Sequence, residues 1–192
     1  MADQLDLFGA SKPPDPPFPT GFKFQPEFIT PEAERVLLAE IRELPFKAFE
    51  FHGYVGKRRT VSFGASYDFA TQRLQPASPP PPFLLALRET AAAFAALPSE
   101  SLQQVLVTEY GAGSGIGWHR DKPVFDKIVG VSLLSSCHFR LRRQRGGKWE
   151  RFTIEATPRS AYLLSGPVRT EWEHSIPEVD TPRYSITYRS LR

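Results

Sequence analysis

The densest set of chemically useful side chains lies in GAGSGIGWHRDKP, residues 111–123. Its glycines invite a phosphate-loop reading. A dinucleotide-binding turn must open a helix, however, and here Trp118, His119 and then Pro123 follow. The stretch has no Gly-Lys-Ser/Thr, which removes the P-loop. HRD also occurs in protein kinase catalytic loops, but a chain of 192 residues is too short and the asparagine that should follow is missing. Metal binding explains the stretch better. In an extended segment His119 and Asp121 share one face and Arg120 turns to the other. An imidazole nitrogen and a carboxylate oxygen then reach one ion. The third ligand must come from His52, His138 or His174, and His174, in EWEHSIPEV after the turn SGP, is the best placed. Two histidines and a carboxylate on one side of an ion leave positions open for substrate and oxygen, the arrangement of non-haem Fe(II) oxygenases.

A second chemical pattern is RYSITYR, Arg183 to Arg189. Read as a strand, it places Arg183, Ser185, Thr187 and Arg189 on one face and Tyr184, Ile186 and Tyr188 on the other. A guanidinium fork pairs bidentately with a carboxylate, and hydroxyls add donors. The polar face therefore suits the inside of a barrel that holds a dicarboxylate near a metal. Arg183 follows His174 after a short turn, so the neighbouring strand is its expected place.

These residues need elements to carry them. Hydrophobic residues make up 41% of the chain and charged residues 23%, ordinary values for a globule with one core. No apolar run is long enough for a helical membrane span, and the N-terminus lacks a signal-peptide pattern, so a cytoplasmic protein without membrane contact is expected. The single cysteine, Cys137, excludes an internal disulfide framework and reads as a small core residue. In TPEAERVLLAEIREL, Thr30 caps, Pro31 opens, and Ala33, Leu37, Ile41 and Leu44 repeat at helical spacing up to Pro45. FLLALRETAAAFAAL, Phe83 to Leu97, gives a second helix that Pro98 stops. FEFHGYVGKRRTVSFGASYDF reads as two short strands with an exposed loop. QQVLVTEY, KIVGVSLLS, CHFRLRR, WERFTIEA, SAYLLSG and RYSITYRSL follow as strands, with QRGGK as a hairpin turn. Helices followed by a long run of strands predict an α+β, mainly β fold, with helices packed on antiparallel sheets.

The ordered set of HRD at 119–121, a distal His174 and two arginines at 183 and 189 resembles the AlkB family of 2-oxoglutarate- and Fe(II)-dependent dioxygenases. TEYGAGSGIGWHRD resembles the family's segment leading into the metal dipeptide, and GYVGKRRTVSFG its nucleotide-recognition lid. The likeness runs from about Gly21 to the C-terminus. It implies a double-stranded β-helix, or jelly-roll, over residues 21–192, with two supporting N-terminal helices and a lid at about 49–69. It implies that His119, Asp121 and His174 bind Fe(II), that Arg183 and Tyr110 hold the distal carboxylate of 2-oxoglutarate, and that Arg189 lies near its other carboxylate. Thr108 and Ser185 stand where family members often have asparagine, and both can still donate. Pro123 replaces an acidic residue near the target base. The implied reaction consumes O2 and 2-oxoglutarate, gives succinate and carbon dioxide, and oxidises a C–H bond. On an N-methyl group this releases formaldehyde and the repaired base.

Base flipping and a phosphate backbone call for aromatics beside cations. In the lid these are His52, Tyr54, Phe63 and Tyr67 among Lys57, Arg58 and Arg59. In the hairpin FRLRRQRGGKWERF, the cations Arg142, Arg143 and Arg145 are the expected phosphate contacts. Net charge is only +3, although the pI near 9.1 leaves room for an acidic partner. The expectation is a monomeric demethylase of alkylated bases, on DNA rather than RNA. Its rivals are an oxidase of tRNA bases or protein side chains, and a binding module that reads modified bases without oxidising them. Residues 1–20 are rich in proline and read as a disordered tail. QLDLF within it, with Gln4, Leu5, Leu7 and Phe8, resembles the pentapeptide by which bacterial repair proteins dock on the sliding clamp.

Overall fold

The computed structural model describes residues 18–51, 54–68 and 71–192. The chain runs β1 (Phe22–Gln25), α1 (Pro31–Arg42), β2 (Lys47–Phe51), β3 (Tyr54–Phe63), β4 (Ala65–Asp68), β5 (Arg73–Pro76) and α2 (Pro82–Ala95). It continues through β6 (Leu102–Tyr110), β7 (Ile116–His119), β8 (Phe125–Leu133), β9 (Cys137–Arg145), β10 (Lys148–Ala156), β11 (Ala161–Leu164), α3 (Gly166–Thr170), β12 (Glu173–Ile176) and β13 (Arg183–Leu191).

Thr30 Oγ1 accepts from the Ala33 amide at 3.1 Å, which starts α1 as its sequence requires. Leu37 and Ile41 turn inward from it. So does Glu34, whose carboxylate accepts from the Leu134 amide at 2.9 Å and from Arg159 at 3.2 Å. Leu134 and Arg159 have φ of 76° and 64°, conformations costly for side-chain-bearing residues, and one buried acid anchors both turns. α2 ends at Ala96 in the left-handed region, just before Pro98.

The strands form a seven-stranded sheet in the order β1-β11-β8-β13-β6-β3-β2 and a four-stranded sheet in the order β10-β9-β12-β7. β4 and β5 pair separately. The strand pairings are antiparallel. One face of the large sheet packs on α1 and α2 through Val105, Val107, Val129, Val131, Leu133, Ile186 and Tyr188. Each such aliphatic side chain contributes about 1.5–3 kcal/mol on burial. The other face meets the small sheet: Tyr110, Ile128 and Leu164 share a core with Phe139, Leu141, Ile154 and Ile176, and Cys137 is buried there too. The two facing sheets make the expected double-stranded β-helix. The QRGGK turn is a two-glycine loop, with φ of 56° at Gly146 and 76° at Gly147.

Two expectations need correction. β12 lies between β9 and β7 in the small sheet, whereas β13 lies between β8 and β6 in the large one. His174 and Arg183 are therefore not on neighbouring strands, because residues 177–182 cross from one sheet to the other. The lid segment is also less loop-like than expected. β3 has ten residues and joins the large sheet against β6, with Phe63 opposite Val105.

Candidate active site

His119 ends β7, and His174 lies opposite it in register on β12. Antiparallel pairing therefore brings both rings to the inner face of the small sheet, with centroids 4.2 Å apart. Asp121 follows two residues later and faces the same space. One ligand atom from each of His119, Asp121 and His174 lies within 4.8 Å of the other two. His119 Nδ1 donates to the Gly117 carbonyl at 2.8 Å, because a carbonyl only accepts, and this leaves Nε2 as its ligand atom. Asp121 divides its oxygens. Oδ1 accepts from Arg189 Nη2 at 2.9 Å and Nε at 3.1 Å, and Oδ2 faces His174 Nε2 at 3.4 Å.

Electrostatics prepare these groups as ligands. Burial lowers the pKa of His119, and lowers that of His174 to about 3, so both rings are neutral at pH 7. Burial alone would raise the pKa of Asp121, but Arg189, His174 and His119 outweigh it, and the carboxyl is held below its usual range. Two neutral nitrogens and one anionic oxygen suit Fe(II) with open positions.

Behind this set, the inner face of β13 is polar as its alternation requires. Ser185, Thr187 and Arg189 line a cavity of about 640 Å³ together with Thr108, Tyr110, His119, Asp121 and His174. Arg183 is only 1% exposed. Its Nη2 donates to Ser132 Oγ at 2.9 Å, and its guanidinium carbon lies 4.8 Å from the centroid of the Tyr110 ring. Its Nε and Nη1 have no acceptor among the described residues. Buried donors are seldom left unpaired, and an unpaired guanidinium is costly. This guanidinium, with the nearby hydroxyls, fits one carboxylate of 2-oxoglutarate.

The lid residues separate. Arg58 lines the cavity, 3.7 Å over the Phe49 ring, and Tyr67 lines it as well. Lys57 instead donates to the Gly113 carbonyl at 3.2 Å, and Arg59 pairs with Glu109. Phe63 is not a stacking surface: it is 7% exposed and packs under the helices. Residues 58, 60 and 62 face the cavity, so the pleat turns 63 to the opposite side. His52, the Tyr54 side chain and the tail residues Gln4, Leu5, Leu7 and Phe8 lie outside the described residues.

The hairpin cations also need correction as a set of free phosphate contacts. Arg142 pairs with Glu173 at 2.7 Å, and Arg143 with Glu150 and Glu171, each at 2.6 Å. Acids from β10, β12 and the turn after α3 neutralise them. Arg145 stays exposed at the turn. His138 and Pro123 are exposed too, so His138 does not join the other two histidines.

Several residues escaped the sequence reading. Tyr162 lines the cavity beneath Gly130, where a Cβ would come within 2.3 Å of its ring. A glycine inside a strand run was the available signal. Buried Arg169 donates to the carbonyls of Lys122 and Phe125, the latter at 2.9 Å, and so fastens the turn that follows Asp121. Nothing local in SGPVRT pointed to that role.

Residues 23–189 match the model of the 2OG-Fe(II) oxygenase superfamily, and the chain belongs to that family. It is 28% identical over 200 residues to an Arabidopsis thaliana protein named alkylated DNA repair protein ALKBH8 homolog, a match that covers 90% of this chain and 56% of that protein. It thus spans little more than half of that relative. An uncharacterized protein of Acanthamoeba polyphaga mimivirus, L905, is 24% identical, with 89% of this chain and 85% of that one covered. The structure of OsALKBH1 superposes with a TM-score of 0.68 at 15% identity, covering 91% of this chain and 99% of that one. A Pseudomonas putida prolyl-4-hydroxylase superposes with a TM-score of 0.61 at 15% identity, covering 90% and 93%. At such identity these two superpositions speak for the fold.

Proposed function

We propose that this 2OG-Fe(II) oxygenase removes alkyl groups from nucleic-acid bases by oxidation, with DNA favoured over RNA. The observation that carries the reading is the composition of one cavity. Phe49, Arg58, Tyr67, Trp118 and Lys122 line it together with His119, Asp121 and His174. Aromatic rings beside cations suit a flipped base and its phosphates. The volume of about 640 Å³ lies within the range of small-molecule sites. The name of the Arabidopsis relative, a repair protein for alkylated DNA, supports the choice of DNA.

In this reading His119, Asp121 and His174 hold Fe(II). Fe(II), with 2-oxoglutarate and O2, supplies oxidation of a substrate C–H bond coupled to loss of carbon dioxide and formation of succinate. Arg183 takes the distal carboxylate of 2-oxoglutarate, and Tyr110, Thr108 and Ser185 complete that end of the pocket. Arg189 keeps Asp121 ionised and turns one carboxylate oxygen toward His174. Arg58 and Tyr67 position the base. Hydroxylation of an N-methyl group gives a hydroxymethyl amine, which releases formaldehyde without further help from the protein.

Succinate and formaldehyde are measured with Fe(II), 2-oxoglutarate and either N-methylated or unmodified oligonucleotides. Formaldehyde should appear only with the methylated strand, with succinate in step. Equal succinate from both strands and no formaldehyde would refute the substrate assignment. An Asp121→Ala variant that still consumed 2-oxoglutarate would refute the ligand set.

A further inference from the structure

The outer side of the four-stranded sheet carries a ladder of indoles and cations, of which Trp118 also lines the cavity. On β12, Glu173 and Ser175 lie opposite Arg142 and Arg140 of β9, and Arg151 and Thr153 of β10 lie opposite the same two arginines on the other side. The Arg142 guanidinium sits between two rings, 4.3 Å from the Trp118 centroid and 4.5 Å from the Trp149 centroid. Arg140 stacks on Trp118 at 5.0 Å and donates to Ser175 Oγ at 3.1 Å.

Two features of this face are unbalanced. Arg151 stands directly across from Arg142, and like charges in opposed positions destabilise a sheet. Glu173 neutralises Arg142, while Arg151 is exposed and has no ion pair among the described residues. Trp149 leaves 42% of its surface in water. An occupant that offers both an anion and a flat apolar ring matches the pair. The ladder also reaches the active site, because Trp118 lines the cavity next to His119.

We propose that this outer face is a track for the single-stranded segment that flanks the target base, with Trp149 stacking one base and Arg151 meeting a phosphate. The proposal rests on the nucleic-acid reading of the cavity and extends it. β7 and β10 are three strand spacings apart, roughly 14 Å, which a few nucleotides cross after the target base enters beside Trp118. A single strand is favoured over a duplex because an indole stacks only on an unpaired base, whereas a duplex offers phosphates and groove edges.

The test compares kcat/KM on a methylated single-stranded dodecamer with kcat/KM on a methylated trinucleotide, which is too short to follow the track. In the wild-type protein the dodecamer should be preferred. Trp149→Ala and Arg151→Ala should each reduce that preference, the former by about tenfold for one lost stacking partner. Trp149→Phe should retain most of it. Both positions are exposed, so the variants should fold, and a thermal melt checks this. An unchanged preference in both alanine variants, with the wild-type protein active on both lengths, would overturn the track and leave the dealkylase reading standing. No turnover of either length by the wild-type protein would remove both. Self-association of the protein that Trp149→Ala abolishes, with the length preference intact, would make the face a protein interface and also overturn the track.

Discussion

Replacing Arg183 by methionine tests the cosubstrate pocket most directly. The guanidinium is buried, keeps one bond to Ser132 Oγ, and leaves Nε and Nη1 without acceptors among the described residues. Methionine fills much of the same space without a charge, and exchanging a poorly paired buried charge for an apolar group is often neutral or stabilising. The variant should thus melt close to the wild-type temperature without 2-oxoglutarate. Loss of a buried charge-assisted pair costs about 2–5 kcal/mol, which weakens 2-oxoglutarate by roughly 30-fold or more. At a 2-oxoglutarate concentration of about 100 times its Kd, the wild-type protein gains about 2.7 kcal/mol. The variant, at the same concentration and roughly 30-fold weaker affinity, gains only about 0.9 kcal/mol. For a domain of this size, about 2–4 °C per kcal/mol, the ligand-induced rise in Tm should shrink from roughly 5–11 °C to roughly 2–4 °C. The assay is a thermal melt at fixed metal with increasing 2-oxoglutarate, using Mn(II) to prevent turnover. Metal affinity should survive, since His119, Asp121 and His174 are intact. An equal ligand-induced shift in the two proteins would refute the placing of the cosubstrate on Arg183.

Phe63→Ala should lower stability by about 3–5 kcal/mol, because the ring packs in the helix-side core, and should leave the KM for oligonucleotide unchanged in protein that is still folded. A raised KM at an unchanged Tm would return Phe63 to the substrate side. The metal-free protein should lose stability on acidification. The folded-state pKa of His174 is near 3, below its ordinary value of 6.5, so the unfolded chain binds more protons between those limits. Stability is full above about pH 6.5 and falls by up to about 1.4 kcal/mol per unit toward pH 3. Urea melts between pH 7 and 4 should show a shallower decline in His174→Ala, and equal slopes would contradict the buried neutral ring.

RYSITYR shows what the chain sequence determines without help. The period of two is a property of the strand backbone, so the alternation of arginines and hydroxyls with tyrosines and isoleucine states which residues share a face before any partner is known. The same holds for His119 and Asp121 flanking Arg120, for the Thr30 cap, and for the two glycines of the hairpin. These are short-range facts, set by local sterics and hydrogen bonding. The tertiary structure decided everything that depends on which segments meet. It placed His174 and Arg183 in opposite sheets, because a six-residue connection can cross between sheets as readily as turn within one. It neutralised Arg142 with Glu173 and Arg143 with Glu171, 31 and 28 residues away, which no inspection of the hairpin reveals, whereas Glu150, across the hairpin from Arg143, lies within it. It set Tyr162 over Gly130 and aimed Arg169 at the turn beyond Asp121. A charge or a ring has a role only through what it faces, and long-range strand pairing makes that choice.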